Sequence, residues 1–317
     1  MTKTWVCSAA GWLAAATFLS GAAGVSPAIG GEQVMQVPGH ADFIAVDGTA
    51  IWVTNAGRVE RWSRDGKSAE VSMSHPCGAM AILAGSLWVA DCKDRTLNRI
   101  DLKTAKRVAA IPTGIGSPNG ELNVVAGAGS IWVTSDVKGV IARVDPASNL
   151  VVASVQVAPL TTYMAFGFGS LWAVSLPSQV IQKIDPVTNT VVKKTDLGRE
   201  PGFLAAGEGG VWVQEQGDGT VARIDPATGE VSGRVKVDDT LKYGDIDTGG
   251  GRVWLRTTDK QTIVVIDART MTILARMGKD VGSGALRYTP AGVWTTAHDH
   301  QTLSWWDLAA DTSSPSP

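Results

Sequence analysis

The sequence has little charge of either sign and lacks the short motifs that define many enzyme classes. Only 18% of its 317 residues are charged, 28 basic residues nearly balance 30 acidic ones, and no basic block is present. Proteins that bind DNA or RNA through phosphates need such a block, so we expect no nucleic-acid partner. The phosphate-binding P-loop, the nucleophile elbow, the HExxH zinc motif and the CxxCH haem motif are also absent, and the enzyme classes that depend on them are excluded.

Long apolar runs are missing beyond the first thirty residues, so no later segment is long enough to span a bilayer as a helix. Residues 1–28 combine Lys3, an apolar stretch over 5–23 and small residues up to 28, which is typical of a secretory signal peptide. A retained membrane anchor is the alternative, although glycine and serine make it a weak one. The signal peptide predicts a periplasmic or secreted protein with no membrane span after cleavage, and we expect a monomer.

Helical periodicity is also missing, and a repeat is present instead. The chain has 36 Gly and 12 Trp but only 5 Phe. An aliphatic residue followed by Trp recurs seven times, at intervals of 36 to 44 residues. The seven tryptophans are Trp52, Trp88, Trp132, Trp172, Trp212, Trp254 and Trp294.

Each repeat alternates apolar and polar residues between turn sequences such as Gly-Asp-Gly and Asp-Pro-Ala-Thr-Gly, a pattern that predicts short strands joined by tight turns. Four strands repeated about every 40 residues predict an all-β, seven-bladed β-propeller over residues 32–308. The last blade has only three strands of its own, so we expect 32–37 to supply its outer strand and close the ring. Residues 309–317 are predicted to be a disordered Ser/Pro tail.

Most of the repeated residues are interpreted as structural. The Trp of each repeat is expected to pack between adjacent blades. Asp residues such as Asp101 and Asp145 precede turns whose backbone N–H groups their carboxylates can cap. Arg99 and Arg143 stand two residues before an Asp on the same strand face, which suggests ion pairs at the blade edge.

Two cysteines, Cys77 and Cys92, are expected to form a disulfide. A two-residue turn at Ala84 and Gly85 would place in register those residues whose numbers sum to 169, and these two cysteines meet that condition. Export to an oxidising compartment favours a disulfide over free thiols or a pair of metal ligands.

All four histidines, His40, His75, His298 and His300, are predicted to lie at one end of the propeller, on blades that are contiguous once the ring closes. Glu121, Tyr163 and Asp245 are expected at the same end. His298 and His300, two apart at a strand end, would point to one side and could bind a divalent cation. The alternative is an exposed polar loop, with His40 and His75 bonded to backbone groups. A small-molecule ligand or a protein partner is expected at this end.

One copy of the repeat carries a family resemblance. It contains Gly-Ala-Gly-Ser-Ile-Trp-Val-Thr (127–134), followed by Ile-Ala-Arg-Val-Asp-Pro-Ala-Ser-Asn-Leu-Val-Val (141–152). This sequence resembles the extracytoplasmic YVTN-type propellers and the streptogramin B (virginiamycin B) lyase group. The lyase resemblance implies histidines before inner strands, a carboxylate after a Trp strand and a divalent ion that assists lactone opening by elimination. It places His40, His75 and Asp91 in the catalytic positions, with Asp91 where that group has Glu. Two functions therefore stay open: a binding propeller, or a metal-assisted lyase or related hydrolase.

Overall fold

The structure is a computed structural model that describes residues 29–308 except 118–119, 135–136, 243 and 258–259. The predicted signal peptide, Cys7 within it and the predicted tail lie outside the described residues. Within the described part of the chain, no helix is long and apolar enough to cross a membrane.

Twenty-eight strands form seven antiparallel sheets of four strands each. The first half of the chain contains β1 (Ile29–Gln36), β2 (Ile44–Asp47), β3 (Ala50–Asn55), β4 (Arg58–Ser63), β5 (Gly66–Ser72), β6 (Ala81–Leu83), β7 (Ser86–Asp91), β8 (Thr96–Asp101), β9 (Lys106–Pro112), β10 (Asn123–Gly127), β11 (Ser130–Thr134), β12 (Val140–Asp145) and β13 (Leu150–Gln156). The second half contains β14 (Thr161–Gly167), β15 (Ser170–Ser175), β16 (Val180–Asp185), β17 (Thr190–Asp196), β18 (Pro201–Gly207), β19 (Gly210–Glu215), β20 (Thr220–Ile224), β21 (Val231–Lys236), β22 (Ile246–Gly249), β23 (Arg252–Arg256), β24 (Ile263–Asp267), β25 (Thr272–Met277), β26 (Leu286–Thr289), β27 (Gly292–Ala297) and β28 (Thr302–Leu308).

The predicted propeller and its closure by the N-terminal strand are confirmed. Blades 1 to 6 are formed by consecutive groups of four strands from β2 to β25, and blade 7 has the order β1-β28-β27-β26. The closing strand spans 29–36 rather than 32–37, and it pairs antiparallel with β28. The first and last described strands therefore share one sheet, and their pairing closes the ring.

The core lies between the blades, as the repeated tryptophans predicted. All seven are at most 1% exposed, and the apolar residues form seven clusters, each built by two neighbouring blades. Trp88 of blade 2, for example, packs with Leu122, Val124 and Val144 of blade 3. A buried Trp removes 150 Å² or more of surface from water, so this one residue type provides a large share of the contact between successive blades.

Basic residues bind the outer side of this core, but not as ion pairs at the blade edge. The guanidinium of Arg99 lies 5.2 Å from the ring centroid of Trp88 and donates a hydrogen bond to the Pro146 carbonyl of the next blade. Arg143 stacks on Trp132 in the same way and donates to the Pro186 carbonyl. The ion-pair prediction is therefore wrong for these arginines. The aspartates cap their own turns, as Asp101 does by accepting the backbone N–H groups of residues 103 and 104.

The predicted disulfide between Cys77 and Cys92 is present, with 6.0 Å between the Cα atoms. The Ala84-Gly85 turn has positive φ at both residues, as a type I′ hairpin requires, and the pairs near it sum to 169. Farther from the turn, the register of the two strands differs: Pro76 lies opposite Asp91, and these numbers sum to 167 instead of 169. The disulfide therefore joins the strands diagonally where ladder pairing is irregular.

Removing this disulfide should destabilise the hairpin of blade 2. A chain with both Cys77→Ala and Cys92→Ala is expected to lose about 3 kcal/mol of unfolding free energy, the chain-entropy value for a closed loop of this size. The measurement is urea unfolding of both proteins with and without reductant.

Reductant should lower the stability of the unmodified chain to that of the double variant and leave the variant unchanged. Peptide mapping that finds Cys77 and Cys92 both alkylatable in unreduced protein would contradict the prediction.

Candidate functional site

One end of the propeller collects the segments that lead into the inner strands and those that follow the Trp strands. His40 and Asp42 lie in the segment before β2 in blade 1, and His298 lies in a 3-10 turn directly after β27 in blade 7. Ring closure makes these two blades neighbours. Residues far apart in the sequence are thereby placed at the same point on the rim.

Backbone hydrogen bonds fix this part of the rim. The N–H of His40 donates to the side-chain oxygen of Asn55 at 2.6 Å, and the Thr296 hydroxyl donates to the carbonyl of Asp42 at 2.6 Å. Gly39 has a φ of +116°, and a Cβ there would lie 2.3 Å from the Asn55 oxygen. Glycine is therefore required at position 39, where the backbone passes close to the Asn55 side chain just before His40.

Three metal-binding side chains meet here: His40, Asp42 and His298. We call them the His-Asp group. Their ligand atoms all lie within 4.8 Å of one another, the two imidazole rings stack with centroids 4.2 Å apart, and Nε2 of His40 lies 4.0 Å from Oδ2 of Asp42. Asp42 is not among the site residues predicted from the sequence. The spacing His40-x-Asp42 was the available signal, since residues i and i+2 of an extended segment point to one side.

His298 is the most enclosed member of the group, with 15% of its side chain exposed. Its Nδ1 lies 3.0 Å from the Asp299 carboxylate, yet the angle does not meet hydrogen-bond criteria, and this nitrogen has no other partner among the described residues. Burial lowers the pKa of His298 below its usual range, and the neighbouring His40 lowers it further. The ring is therefore neutral at pH 7 and can accept a proton or a cation.

The His-Asp group forms part of the wall of a cavity of about 270 Å³, which we call the channel mouth. Its floor is aromatic: the rings of Tyr163 and Phe203 have centroids 4.1 Å apart, and Phe43 lies 6.5 Å from Phe203. The same three rings line a second cavity of about 250 Å³ deeper in the channel. They therefore separate the mouth from the rest of the channel.

Carboxyl groups dominate the polar wall of the mouth. Burial raises the pKa of Asp42 to about 8, and the negative charges of Glu121, Asp245 and Asp299 add to this shift. Burial, together with Asp245, likewise raises the pKa of Glu121, whereas the nearby Tyr163 hydroxyl opposes this shift. These carboxyls are held close together at a cost, which a bound cation would remove.

The nearby basic side chains are engaged elsewhere. Arg287 forms an ion pair with Asp245. Arg256 is fully buried and donates to the carbonyls of residues 257, 282 and 296. The mouth therefore combines an aromatic floor with an acidic wall, an arrangement suited to a positively charged ligand.

His75 and Asp91 are not part of the His-Asp group. His75 lines an adjoining cavity of about 320 Å³ that shares His40, Asp42 and Glu121 with the mouth. Asp91 is fully buried, and its carboxylate accepts the backbone N–H groups of residues 74, 75, 93 and 94. Asp91 thus holds the segment that carries His75.

His300 is also outside the group. The sequence placed His298 and His300 at the end of an extended strand, where alternate residues share a side. Residues 298–300 instead form a 3-10 turn, in which residues two apart point in different directions. His300 is exposed, and His298 is brought together with His40 and Asp42 instead.

These features define the class of protein: a seven-bladed β-propeller with an aromatic and acidic cavity at the histidine-bearing end of its channel. Two solved structures share this fold. The chain resembles virginiamycin B lyase from Staphylococcus aureus, with a TM-score of 0.75 and 14% identity over 88% of this chain and 99% of that one. It also resembles a streptogramin B lyase, with a TM-score of 0.74 and 14% identity over 87% and 98%. No family model and no curated protein matches the sequence.

Glu215 lies at the histidine-bearing end of blade 5. It is a carboxylate with a structural role, like Asp91. It follows the Trp strand as Asp91 does, is fully buried, and accepts hydrogen bonds from the Gly198 N–H, the Thr220 hydroxyl and Arg234. Burial alone would raise its pKa, but the hydrogen bonds outweigh burial and lower it. The ionised form therefore stabilises blade 5.

This pKa shift predicts a pH dependence of stability. A carboxyl whose pKa is lowered on folding contributes stability above its unfolded pKa, about 4.5, and loses that contribution as the pH falls through the lower folded pKa. Glu215→Gln should cost about 2 kcal/mol at pH 7, the scale of a hydrogen bond to a charged group, and the cost should shrink below pH 4. Thermal unfolding from pH 3 to 8 measures this.

Asp196→Asn, on an exposed outer strand, is the matched control and should follow the unmodified chain. A Glu215→Gln deficit that stays constant from pH 3 to 8 would contradict the prediction.

Proposed function

We propose that this protein acts outside the cytoplasm, as a monomer, and binds a small molecule in the channel mouth. The observation that carries the proposal is the channel mouth itself, a concave cavity with an aromatic floor and several converging polar groups. Ligand sites of proteins have this composition, although the mouth alone, at about 270 Å³, is at the small end of their size range. The adjoining cavity beside His75 extends it.

The charges of the mouth favour a cationic ligand with an apolar body. Asp42 and Glu121 repel nearby carboxylates and have raised pKa values, so a positive charge between them relieves that repulsion. Phe43, Tyr163 and Phe203 offer ring surface that stabilises both an apolar body and a cation. A protein partner that inserts a lysine or arginine side chain would use the same features.

An extracytoplasmic location is supported by two features of the chain. The disulfide between Cys77 and Cys92 needs an oxidising compartment to persist. Residues 1–28 have the composition of a secretory signal peptide. Fractionation of the producing cell tests the location.

The ligand class can be tested with two probes of matched shape. Phenethylammonium should bind about tenfold more tightly than neutral 2-phenylethanol, because only the cation pairs with the carboxylates. Glu121→Gln should remove most of this preference, because it removes the negative charge and keeps the size of the side chain. Isothermal titration calorimetry of both probes measures the difference.

The control is Asp196→Asn, which removes one negative charge from an exposed outer strand that does not line the mouth. Equal affinity for the two probes, or an equal loss of affinity in Asp196→Asn and Glu121→Gln, would overturn the cationic ligand class.

A second candidate function is lactone opening by elimination. It is favoured by the fold shared with two streptogramin B lyases over 98% or more of their length, and by the histidines that line the mouth and the adjoining cavity. In an elimination, a base takes a proton from the carbon next to the C–O bond, that bond breaks, a C=C bond forms and the carboxylate leaves.

In such a reaction His75 would accept the proton from the adjoining cavity, because His40 and His298 would be occupied as ligands of the ion. Asp91 would position His75 through its backbone N–H. The divalent ion that the lyase resemblance implies finds suitable donors in the His-Asp group, and it would polarise the lactone carbonyl when bound.

Incubation with virginiamycin B tests this candidate. Elimination gives a product of the same mass with a changed chromatographic retention, whereas hydrolysis adds the mass of one water. His75→Ala should reduce conversion at least about a hundredfold, the lower range for loss of a general base, and His300→Ala should retain it. Absence of conversion by the unmodified protein with divalent ions present would contradict a virginiamycin B lyase activity.

A further inference from the structure

The structure assigns a binding site for a first-row transition-metal dication to His40, Asp42 and His298, with its open coordination positions facing the channel mouth. This inference deepens the second candidate function, which places an ion at these residues, but its test measures the ion alone, so its failure is distinguishable from absence of lyase activity.

The donor set selects the class of ion. Two imidazole nitrogens and one carboxylate oxygen suit Zn²⁺, Co²⁺, Ni²⁺ or Cu²⁺, whereas Mg²⁺ and Ca²⁺ prefer sets made of oxygen alone. Three protein ligands leave at least one position for water or a ligand, as in sites where zinc is reactive rather than structural.

The distances require only a small closure of the group. Ligands about 2.0–2.1 Å from a tetrahedral ion lie about 3.3 Å from each other, whereas the donor atoms are now up to 4.8 Å apart. The His40 side chain is 59% exposed, so its ring is free to rotate out of its stack on His298. The backbone of Asp42 stays fixed by the Thr296 hydroxyl.

The orientation of His298 fits a ligand. Metal-binding histidines usually direct their second nitrogen at a carboxylate. Nδ1 of His298 lies 3.0 Å from Asp299 without hydrogen-bond geometry, and a small ring rotation would complete that bond and leave Nε2 for the ion. Asp299 is in turn held by the backbone N–H of Ser283.

The surrounding charges favour a dication. Glu121 shares the cavity wall with the group, and Asp299 lies against His298. Asp245 lies in the same wall, but its charge is offset by the ion pair with Arg287. Arg256 opposes binding, but its guanidinium is directed at backbone carbonyls. An ion at this point would also join blades 1 and 7, where the ring closes.

The test uses Co²⁺ and Zn²⁺ with the full chain purified without a His tag. Equilibrium dialysis should find one ion per chain, Co²⁺ should give a visible absorption band, and Zn²⁺ should raise the unfolding temperature. Asp42→Asn and His298→Ala should each weaken binding at least tenfold and abolish the band, since even indirect partners of a metal ligand are worth about 10-fold to 100-fold. Excess Mg²⁺ should not compete.

His300→Ala is the matched control, because it removes an exposed histidine two residues from His298, and it should bind within twofold of the unmodified chain. Absence of stoichiometric Co²⁺ binding, unchanged affinity in both Asp42→Asn and His298→Ala, or loss of binding in His300→Ala would overturn the assignment. Because unfolding temperatures without metal are recorded for every variant, a misfolded variant is recognised, and His40→Gln then replaces it.

Discussion

Packing of one tryptophan per blade against the next blade is the interaction on which this structure depends. Each buried ring closes an apolar cluster shared by two sheets, and in blades 2 to 5 a basic side chain covers it. In three of these blades the same basic side chain reaches a proline carbonyl in the next blade's turn. Contacts between the blades and at the end that carries the Asp-capped turns therefore provide the stability. The opposite, histidine-bearing rim is free to vary in sequence.

That division explains what the sequence could predict. Repeated residues act locally or between neighbouring repeats, so the blade number, the Trp packing, the ring closure and the Cys77–Cys92 bond all follow from spacing. The arginines were misread because strand alternation shows which face Arg99 occupies but not that a ring and a carbonyl of the next blade lie there.

The candidate site was only partly predictable for the same reason. Its residues occur once and meet only through ring closure: His40 and His298 are 258 positions apart in the sequence, and their stacking depends on how two rim segments turn. The sequence pointed to Asp91 and not to Asp42, because the different surroundings of the two carboxylates are visible only in the structure. Asp91 is saturated by four backbone N–H groups, whereas Asp42 faces the channel with a raised pKa. The spacing of His298 and His300 in the sequence does not predict the 3-10 turn that points their side chains in different directions.

The central claim is that the protein's ligand occupies the channel mouth at the histidine-bearing end. Crystallographic fragment screening tests it most directly, because it samples the whole surface without assuming a ligand. Bound fragments should cluster over Phe43, Tyr163 and Phe203, and amine-bearing fragments should be enriched beside Asp42 and Glu121. Fragments that cluster at the opposite, turn-bearing end or on the outer strands, with the mouth left empty, would contradict it.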